Sequence, residues 1–216
     1  ELRPLILAMN EARDRPDVDL VERAYDFAKA AHEGQLRASG EPYITHPLAV
    51  ATIVARYGAD DATVCAALLH DTVEDCDVTL AEISAKFGPT VSVLVDGCTK
   101  LDRVEVDSKA HQKAETMRKI ILSMANDLRV IVIKLADRLH NLRTVAAMSP
   151  AHQEKQARET LDVYAPLAHR LGMTELRQQL EDLCFASLHP QVFAEIDHLV
   201  AQRAPERDLY LMQVID

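Results

Sequence analysis

The chain has 216 residues, 48% apolar and 27% charged, which is enough for one globular domain of generous size or one domain plus the start of another. Its formal net charge of −10 makes it a poor candidate for binding a nucleic-acid backbone, and an anionic substrate would need a metal or a local cluster of cations. Aromatic residues make up only 4% and Trp is absent, so the core must consist of Leu, Ile, Val and Ala, which favours helices.

Cysteine usage and the ends of the chain bear on its compartment. The four cysteines form no CxxC pair, which argues against a zinc knuckle and favours reduced thiols in the cytoplasm. No apolar run approaches the ~20 residues of a membrane span, and no signal peptide opens the chain, so we expect no membrane association. The first residue is Glu1 rather than Met, and we therefore expect an excised fragment or a processed product.

Helical periodicity predicts most of the elements. The first predicted helix has Asp19 as its cap and Gly34 as its stop. A loop rich in Gly and Pro follows it, and a later charged and polar stretch, Asp102–Lys113, is expected to be a mobile loop. The next predicted helices are, in chain order, Pro47–Tyr57, Asp61–Asp71, one between Thr79 as cap and Gly88 as stop, Pro89–Gly97, Ala114–Met124 and Leu128–Met148.

The segment "RVIVIK" within the last of these helices could be a strand by its β-branched content, but the continuing apolar pattern favours a helix. A second section is predicted to start at Ser149–Pro150, a cap followed by proline at the first helical position, and to end at Gly172. Two helices follow, Glu175–Leu188 and Gln191–Arg203. The fold class is therefore predicted to be all-α, with one domain over residues 1–148 and a helical extension over residues 149–216.

The stretch "LLHDTVED", residues 68–75, places four chemically active side chains directly after an apolar run. Residues three or four apart share a face of a helix, so His70, Asp71, Glu74 and Asp75 could line one wall. Two adjacent carboxylates alone belong to a solvated acidic helix end about as often as they belong to a functional site. At the edge of a core, however, an ionised carboxylate needs a partner or a metal.

Two further segments carry potential metal ligands. In "KLADRLHNLRT", Asp137, His140 and Asn141 lie on one face of a predicted helix, and His46 ends the loop "YITHP". Neither segment is informative alone. An Asp-His pair is more often a hydrogen-bonded pair on a helix surface than a set of metal ligands, and a single loop histidine indicates little. Two His and two Asp from three segments would suit Mn²⁺, Fe²⁺, Co²⁺ or Zn²⁺ rather than Ca²⁺, with a preference for Mn²⁺. Open positions on such a metal would hold water and lower its pKa toward neutrality.

Adjacent His-Asp followed far downstream by a lone Asp is the pattern of the HD superfamily of metal-dependent phosphohydrolases. The match is closer than that: "AHEGQLRASGEPYITHPLAVA", "AALLHDTVED", "LVDGCTKLDRV" and "IKLADRLHNLRT" resemble, in order and spacing, the hydrolase domain of Rel/SpoT-type alarmone enzymes. Downstream, "APLAHRLGM" and "LEDLCFASLHP" resemble the helical connector toward the synthetase domain of the long bifunctional members. The resemblance covers nearly the whole chain.

The resemblance implies an HD fold with a C-terminal helical extension and removal of the 3′-pyrophosphate from ppGpp or pppGpp, giving GDP or GTP, in control of the stringent response. It implies one divalent metal, Mn²⁺, with the ligands His46, His70, Asp71 and Asp137. The acidic pair that orients or deprotonates the attacking water would be Glu74 and Asp75. Arg37 would stack on the guanine, and the nucleoside pocket would include Ser39, Tyr43, Asn141 and Thr144. Candidate cations that would offset the substrate charge are Lys100, Lys134, Arg138 and Arg143. A parent protein could also carry a synthetase domain with GTP pyrophosphokinase activity.

One position departs from the family pattern, because Ala38 stands where many relatives have Lys after the stacking Arg. A charged contact near the base is thereby lost, which leaves open an HD phosphohydrolase for another nucleotide, such as a nicotinamide dinucleotide phosphate or a dNTP. A second alternative is a regulatory module that binds nucleotide without turnover. The complete "HDTVED" set speaks against it, because a pure binder does not need Glu74 and Asp75.

Overall fold

The computed structural model describes residues 1–102 and 127–215, with side chains described over residues 1–100 and 127–203. Among these residues the secondary structure is helical, and the β pairing consists of one isolated bridge between Leu36 and Pro42. The all-α prediction is confirmed. The chain forms two compact units, residues 1–147 and residues 148–216.

The first unit contains eight described α-helices and a short 3₁₀ turn at Val145–Ala147. In chain order the helices are α1 (Arg3–Ala12), α2 (Val18–Ala31), α3 (Thr45–Arg56), α4 (Asp61–Leu69), α5 (Thr72–Asp75), α6 (Leu80–Phe87), α7 (Pro89–Asp102) and α8 (Leu128–Arg143).

Several helix ends follow from local capping. Thr79 caps α6 and Gly88 ends it with a φ of 92°, as the sequence predicted, and Glu82 completes a reciprocal capping box with Thr79. At α2 the prediction was wrong by two residues, because the cap is Asp17, whose carboxylate accepts from the amide of Leu20 at 3.0 Å.

Helix α4, buried from its third residue onward, lies at the centre of the first unit. Every residue from 63 to 69 is buried, and α2, α3, α7 and α8 pack around this helix. An apolar helix with no polar face requires such an environment. Its position brings the following residue, His70, to the inner edge of the core.

Helix α8 packs against both α3 and α7. The segment "RVIVIK" is helical, as predicted, and its residues Val130, Ile131 and Ile133 are buried. A Cβ atom added at Gly97 would lie 2.6 Å from Cγ2 of Val130, so the glycine allows α7 and α8 to approach closely. The same helix carries Asp137 and His140 toward α3.

The second unit is built from α9 (Pro150–Glu159), a π-helical segment (Thr160–Tyr164), α10 (Ala165–Arg170), α11 (Thr174–Leu188) and α12 (Pro190–Ile215). Ser149 caps α9 with Pro150 at the first helical position, as predicted, and Gly172 has a φ of 72° after α10. The final helix continues beyond the predicted end at residue 203.

Two predicted elements, the mobile loop Asp102–Lys113 and the helix Ala114–Met124, lie outside the described residues, except that Asp102 is the last residue of α7. Within the described part of the chain, no helix is both long and apolar enough to cross a membrane.

Candidate metal centre

His70 follows the last residue of α4 and is 1% exposed. Its Nδ1 lies 2.8 Å from the carbonyl oxygen of Ala67, which can only accept, so Nδ1 carries the proton and Nε2 presents a lone pair. This Nε2 is buried and lacks a hydrogen-bond partner among the described residues. It lies 3.0 Å from Oδ1 of Asp71, so two electron-rich atoms face each other.

His46 lies in the first turn of α3 and faces the same point. Its Nε2 lies 3.2 Å from Oδ1 of Asp137 and 3.6 Å from Oδ2 of Asp71. Burial lowers the pKa of His46, which keeps the ring neutral and able to act as a ligand. On its other side, Nδ1 lies 2.8 Å from Nδ1 of His140. Burial, with smaller contributions from His46 and Arg37, lowers the pKa of His140 to about 4.

Asp137 is the buried carboxylate of α8. Burial by itself would raise its pKa, but the ammonium of Lys134, 2.6 Å from Oδ2, and the nearby histidines hold that pKa well below its usual value. Its other oxygen accepts from the side-chain amide of Asn141 at 2.6 Å. The carboxylate is therefore ionised and fixed in orientation.

These groups fit a divalent metal. Ligand atoms of His46, His70 and Asp137 all lie within 4.8 Å of one another, and the carboxylate of Asp71 faces both histidines. The unpartnered lone pair of His70 facing a carboxylate oxygen is most simply satisfied by a cation between them. Two imidazoles with two carboxylates match the donor set that Mn²⁺, Fe²⁺, Co²⁺ and Zn²⁺ accept.

The acidic pair lies beside this cluster, in the short helix α5. Glu74 and Asp75 are exposed, and the hydroxyl of Tyr43 lies 2.9 Å from Oδ2 of Asp75 and 2.8 Å from Oδ2 of Asp71. Burial and the two carboxylates raise the pKa of Tyr43, so the hydroxyl keeps its proton and donates it to them. The ring of Tyr43 stacks on His32, with centroids 4.5 Å apart.

Arg37 lies in a narrow loop between α2 and α3, closed by backbone hydrogen bonds from Arg37 to Glu41 and from Tyr43 to Gln35. Its guanidinium donates to Oδ1 of Asn141 at 2.9 Å and to the hydroxyl of Thr144 at 3.1 Å. Because a guanidinium only donates and a carboxylate only accepts, the amide of Asn141 has a single consistent orientation between Arg37 and Asp137. Asn141 thus links the loop to the metal cluster.

A cavity of about 230 Å³ joins these groups. Its lining residues are Arg37, Tyr43, His46, Asp71, Glu74, Asp75, Lys134, Asp137 and Asn141. Four of them are carboxylates and two are cations, so the cavity favours added positive charge.

Other residues that the sequence proposed for the site lie outside this lining. Ser39 is exposed, and its hydroxyl donates to Glu41 at 3.2 Å. The hydroxyl of Thr144 accepts from Arg37, which itself lines the cavity. Lys100 forms an ion pair with Asp96 at 2.5 Å. Arg138 and Arg143 are also absent from the lining.

The sequence analysis did not predict two contacts in the site. His140 was noted on the face of Asp137 but given no role, although it contacts His46, and His32 was not considered. The i, i+3 spacing of Asp137 and His140 was the available signal for the first, while nothing in the sequence indicates that His32 stacks on Tyr43.

The chain is similar to known proteins over most of its length. The family model for the HD domain matches residues 24–174. The chain is 55% identical over 213 residues to the bifunctional (p)ppGpp synthase/hydrolase RelA of Mycobacterium tuberculosis, covering 99% of this chain and 29% of that protein. It is 57% identical over 196 residues to a GTP pyrophosphokinase of Streptomyces coelicolor, covering 91% and 23%.

A guanosine-3′,5′-bis(diphosphate) 3′-pyrophosphohydrolase of Vibrio cholerae is 48% identical over 185 residues, covering 86% of this chain and 26% of that protein. A solved structure of a metazoan ortholog of SpoT that hydrolyzes ppGpp superposes with a TM-score of 0.50 at 26% identity, covering 89% of this chain and 99% of the other. The chain spans about a quarter of the length of the curated relatives it matches.

Proposed function

Because this chain belongs to the HD-domain family and is a homologue of the Rel/SpoT enzymes, we propose that it is a metal-dependent hydrolase that removes the 3′-pyrophosphate from ppGpp and pppGpp. Its relatives carry the names of synthetases as well as hydrolases, so the choice rests on the site. The observation that carries it is the convergence of the ligand atoms of His46, His70 and Asp137, within 4.8 Å of one another, beside a cavity that Glu74 and Asp75 line.

The proposed metal is Mn²⁺, held by His46, His70, Asp71 and Asp137. A mixed set of two nitrogen and two oxygen ligands supports this choice, since carboxylate-containing sets favour Mn²⁺ over metals that prefer thiolates. A divalent ion held there would supply Lewis acidity toward water and toward a phosphate oxygen.

The side chains around the cluster would divide the chemistry among them. A water oxygen attacks the phosphorus that is ester-linked to the ribose 3′-oxygen, and the bond from that phosphorus to the 3′-oxygen breaks. Glu74 or Asp75 accepts a proton of the attacking water, and the leaving 3′-oxygen takes up a proton from solvent to give GDP or GTP and pyrophosphate. The hydroxyl of Tyr43 fixes the direction of the Asp75 carboxylate.

Substrate binding would depend on the loop that carries Arg37. Its planar guanidinium would stack on the guanine, and Ser39, Tyr43, Asn141 and Thr144 would surround the nucleoside. Arg37 and Lys134 contribute the positive charge of the cavity, and with a divalent ion they would balance its four carboxylates. An acidic protein can therefore accept a highly anionic nucleotide at this one point.

The test is incubation of the purified chain with ppGpp and Mn²⁺, followed by separation of the nucleotides. We expect GDP and pyrophosphate in equal amounts, no reaction after chelation, and ¹⁸O from labelled water in the pyrophosphate rather than in GDP. The matched control is Asp75→Asn, which should keep its metal but lose about 10²–10⁴-fold in turnover. A metal-loaded chain that leaves ppGpp intact would refute the proposal.

An HD phosphohydrolase for another nucleotide is the second candidate, and Ala38 favours it because this exposed position offers the base no charged contact. The same assay with a dNTP and a nicotinamide dinucleotide phosphate decides between the two. We further propose that residues 149–216 form the connector toward a synthetase domain, in line with the resemblance of "APLAHRLGM" and "LEDLCFASLHP".

A further inference from the structure

We propose that His140 is a positioning residue of the metal centre, whose Nδ1 accepts the proton of His46 Nδ1 and so keeps Nε2 of His46 directed at the metal. The proposal rests on the metal dependence of the proposed function but not on its substrate. It concerns a side chain outside the four proposed ligands and outside the residues that line the cavity.

The geometry places one ring directly behind the other. The two Nδ1 atoms lie 2.8 Å apart, and the ring centroids are 4.9 Å apart with an interplanar angle of 45°. The opposite nitrogen of His46, Nε2, lies 3.2 Å from Oδ1 of Asp137. His46 therefore has one nitrogen in the cluster and the other against His140.

Proton counting fixes the roles within this pair. Two Nδ1 atoms at hydrogen-bond distance share one proton, so one atom donates and the other accepts. A histidine that binds a metal through Nε2 must carry its proton on Nδ1, which makes His46 the donor. His140 must then present a lone pair, with its own proton on Nε2.

Such a partner has a defined effect on a metal site. Ligand histidines nearly always donate their second ring N–H to an acceptor that fixes the tautomer and the ring orientation, and removing that acceptor typically costs 10–100-fold in metal affinity. Here the acceptor is an imidazole on α8, three residues after Asp137. Helix α8 thus supplies the proposed ligand Asp137 and also the hydrogen-bond acceptor for His46, a second proposed ligand, which lies on α3.

The test compares His140→Phe with His140→Asn. Phenylalanine keeps the ring but has no acceptor, whereas asparagine places an amide oxygen close to the position of the histidine Nδ1. Binding of Mn²⁺ to the metal-free chain is measured by calorimetry, and the visible spectrum of the Co²⁺-loaded chain reports the ligand geometry. His152→Phe, at an exposed position of α9, is the surface control.

We expect His140→Phe to bind Mn²⁺ about 10–100-fold more weakly and to show an altered Co²⁺ spectrum. His140→Asn should recover most of the affinity, and His152→Phe should match the unchanged chain. His140→Ala provides a smaller replacement in case the Phe variant fails to give the native circular dichroism, and it should show the same loss.

Two outcomes overturn the proposal. The first is unchanged affinity and spectrum in folded His140→Phe or His140→Ala. The second is an Asn variant as weak as the Phe variant, because restoring a hydrogen-bond acceptor at this position would then not restore the affinity for Mn²⁺. The titration uses no nucleotide, so a chain that binds metal normally but leaves ppGpp intact refutes the proposed function alone.

Discussion

The hydroxyl of Tyr43 lies 2.9 Å from Oδ2 of Asp75, although 32 residues separate the two in the chain. The same hydroxyl lies 2.8 Å from Oδ2 of Asp71. One phenolic proton therefore serves two carboxylates, one proposed to bind the metal and the other to act on the water. The sequence had suggested Tyr43 only as a wall of the nucleoside pocket.

Tyr43→Phe removes this donor and keeps the ring that stacks on His32. A hydrogen bond to a charged group contributes about 1.5–3 kcal/mol, so we expect kcat to fall at least tenfold while KM for ppGpp changes little. Steady-state kinetics would measure this. Tyr25→Phe is the matched control, because its hydroxyl contacts Glu1 instead. A rise in KM at constant kcat would contradict this role of the hydroxyl and assign it to nucleoside binding alone.

Metal binding is expected to depend on the residues at the end of α4. His70→Ala and Asp71→Ala each remove one of four proposed ligands, so both should abolish bound metal and activity together. Elemental analysis of the purified variants gives the metal content. Glu74→Gln serves as the control and should keep its metal, since Glu74 is proposed to act only on the water. Full occupancy in both alanine variants would contradict the ligand assignment.

The sequence predicted the starts of α6 and α9, which local bonds determine, although it placed the cap of α2 two residues too late. The capping box at Thr79 and the Ser149–Pro150 start involve neighbours along the chain, so their residue types were sufficient. The break after Leu69 was missed, because the side chains of His70 and Thr72 bond to the carbonyls of Ala67 and Leu69. Propensity does not reveal this competition between side chain and backbone. Helix α1 was also missed.

In the functional site, too, local motifs were predicted from the sequence, whereas contacts between distant segments were not. The quoted motifs supplied the proposed ligands, but their partners depend on which helices pack together. Contacts of His140 with His46 and of Tyr43 with Asp75 join residues 94 and 32 positions apart. Lys134, a candidate cation for the substrate charge, also bonds Asp137 at 2.6 Å, a contact that the sequence analysis did not predict. The packing of α8 against α3 determines the pair His140–His46, and hydrophobic periodicity does not specify that packing.

The close approach of α7 and α8 makes Gly97 sensitive to substitution. Gly97→Ala places a Cβ 2.6 Å from Cγ2 of Val130, a stiff β-branched side chain. Overpacking costs about 1–3 kcal/mol, and the better helix propensity of alanine returns about 1 kcal/mol, so we expect a net loss of up to about 2 kcal/mol. Chemical denaturation measures it. Val130→Ala in the same chain should relieve the clash, and strict additivity in this double-mutant cycle would contradict it.

Asp127 gives the start of α8 a pH-dependent contribution to stability. Hydrogen bonds from Arg129, at 3.0 and 2.7 Å, lower the pKa of this carboxyl below its usual value. Since the folded pKa is the lower one, the contribution is complete above the unfolded pKa of about 3.9. This contribution to stability is lost as the pH falls from the unfolded pKa through the folded pKa of Asp127.

Asp127→Asn isolates that charge, because asparagine caps helices as well as aspartate does. With both side chains partly exposed, we expect a loss of about 0.5–1 kcal/mol at pH 7 that shrinks as the pH falls below about 4. Denaturation at a series of pH values would measure it, with Asp26→Asn on the exposed face of α2 as the control. A difference that does not change with pH would contradict the role of charge.

Arg37 is expected to set the affinity for the nucleotide base. Hydrogen bonds to Asn141 and Thr144 hold its guanidinium beside the cavity, 5.8 Å from the centre of the Tyr43 ring. Stacking of a guanidinium on an aromatic face contributes about 0.5–2 kcal/mol, so Arg37→Ala should raise KM for ppGpp about three- to thirtyfold.

Thr144→Val tests whether the held orientation of Arg37 contributes to this affinity. The substitution keeps the shape of the side chain but removes the hydroxyl that accepts from Arg37. We expect KM to rise less than in Arg37→Ala, with kcat nearly unchanged, because Asn141 still holds the guanidinium. Arg23→Ala, at an exposed position of α2, controls for the loss of one positive charge. If Arg37→Ala matches this control in KM, Arg37 does not bind the base, and base recognition must come from other groups.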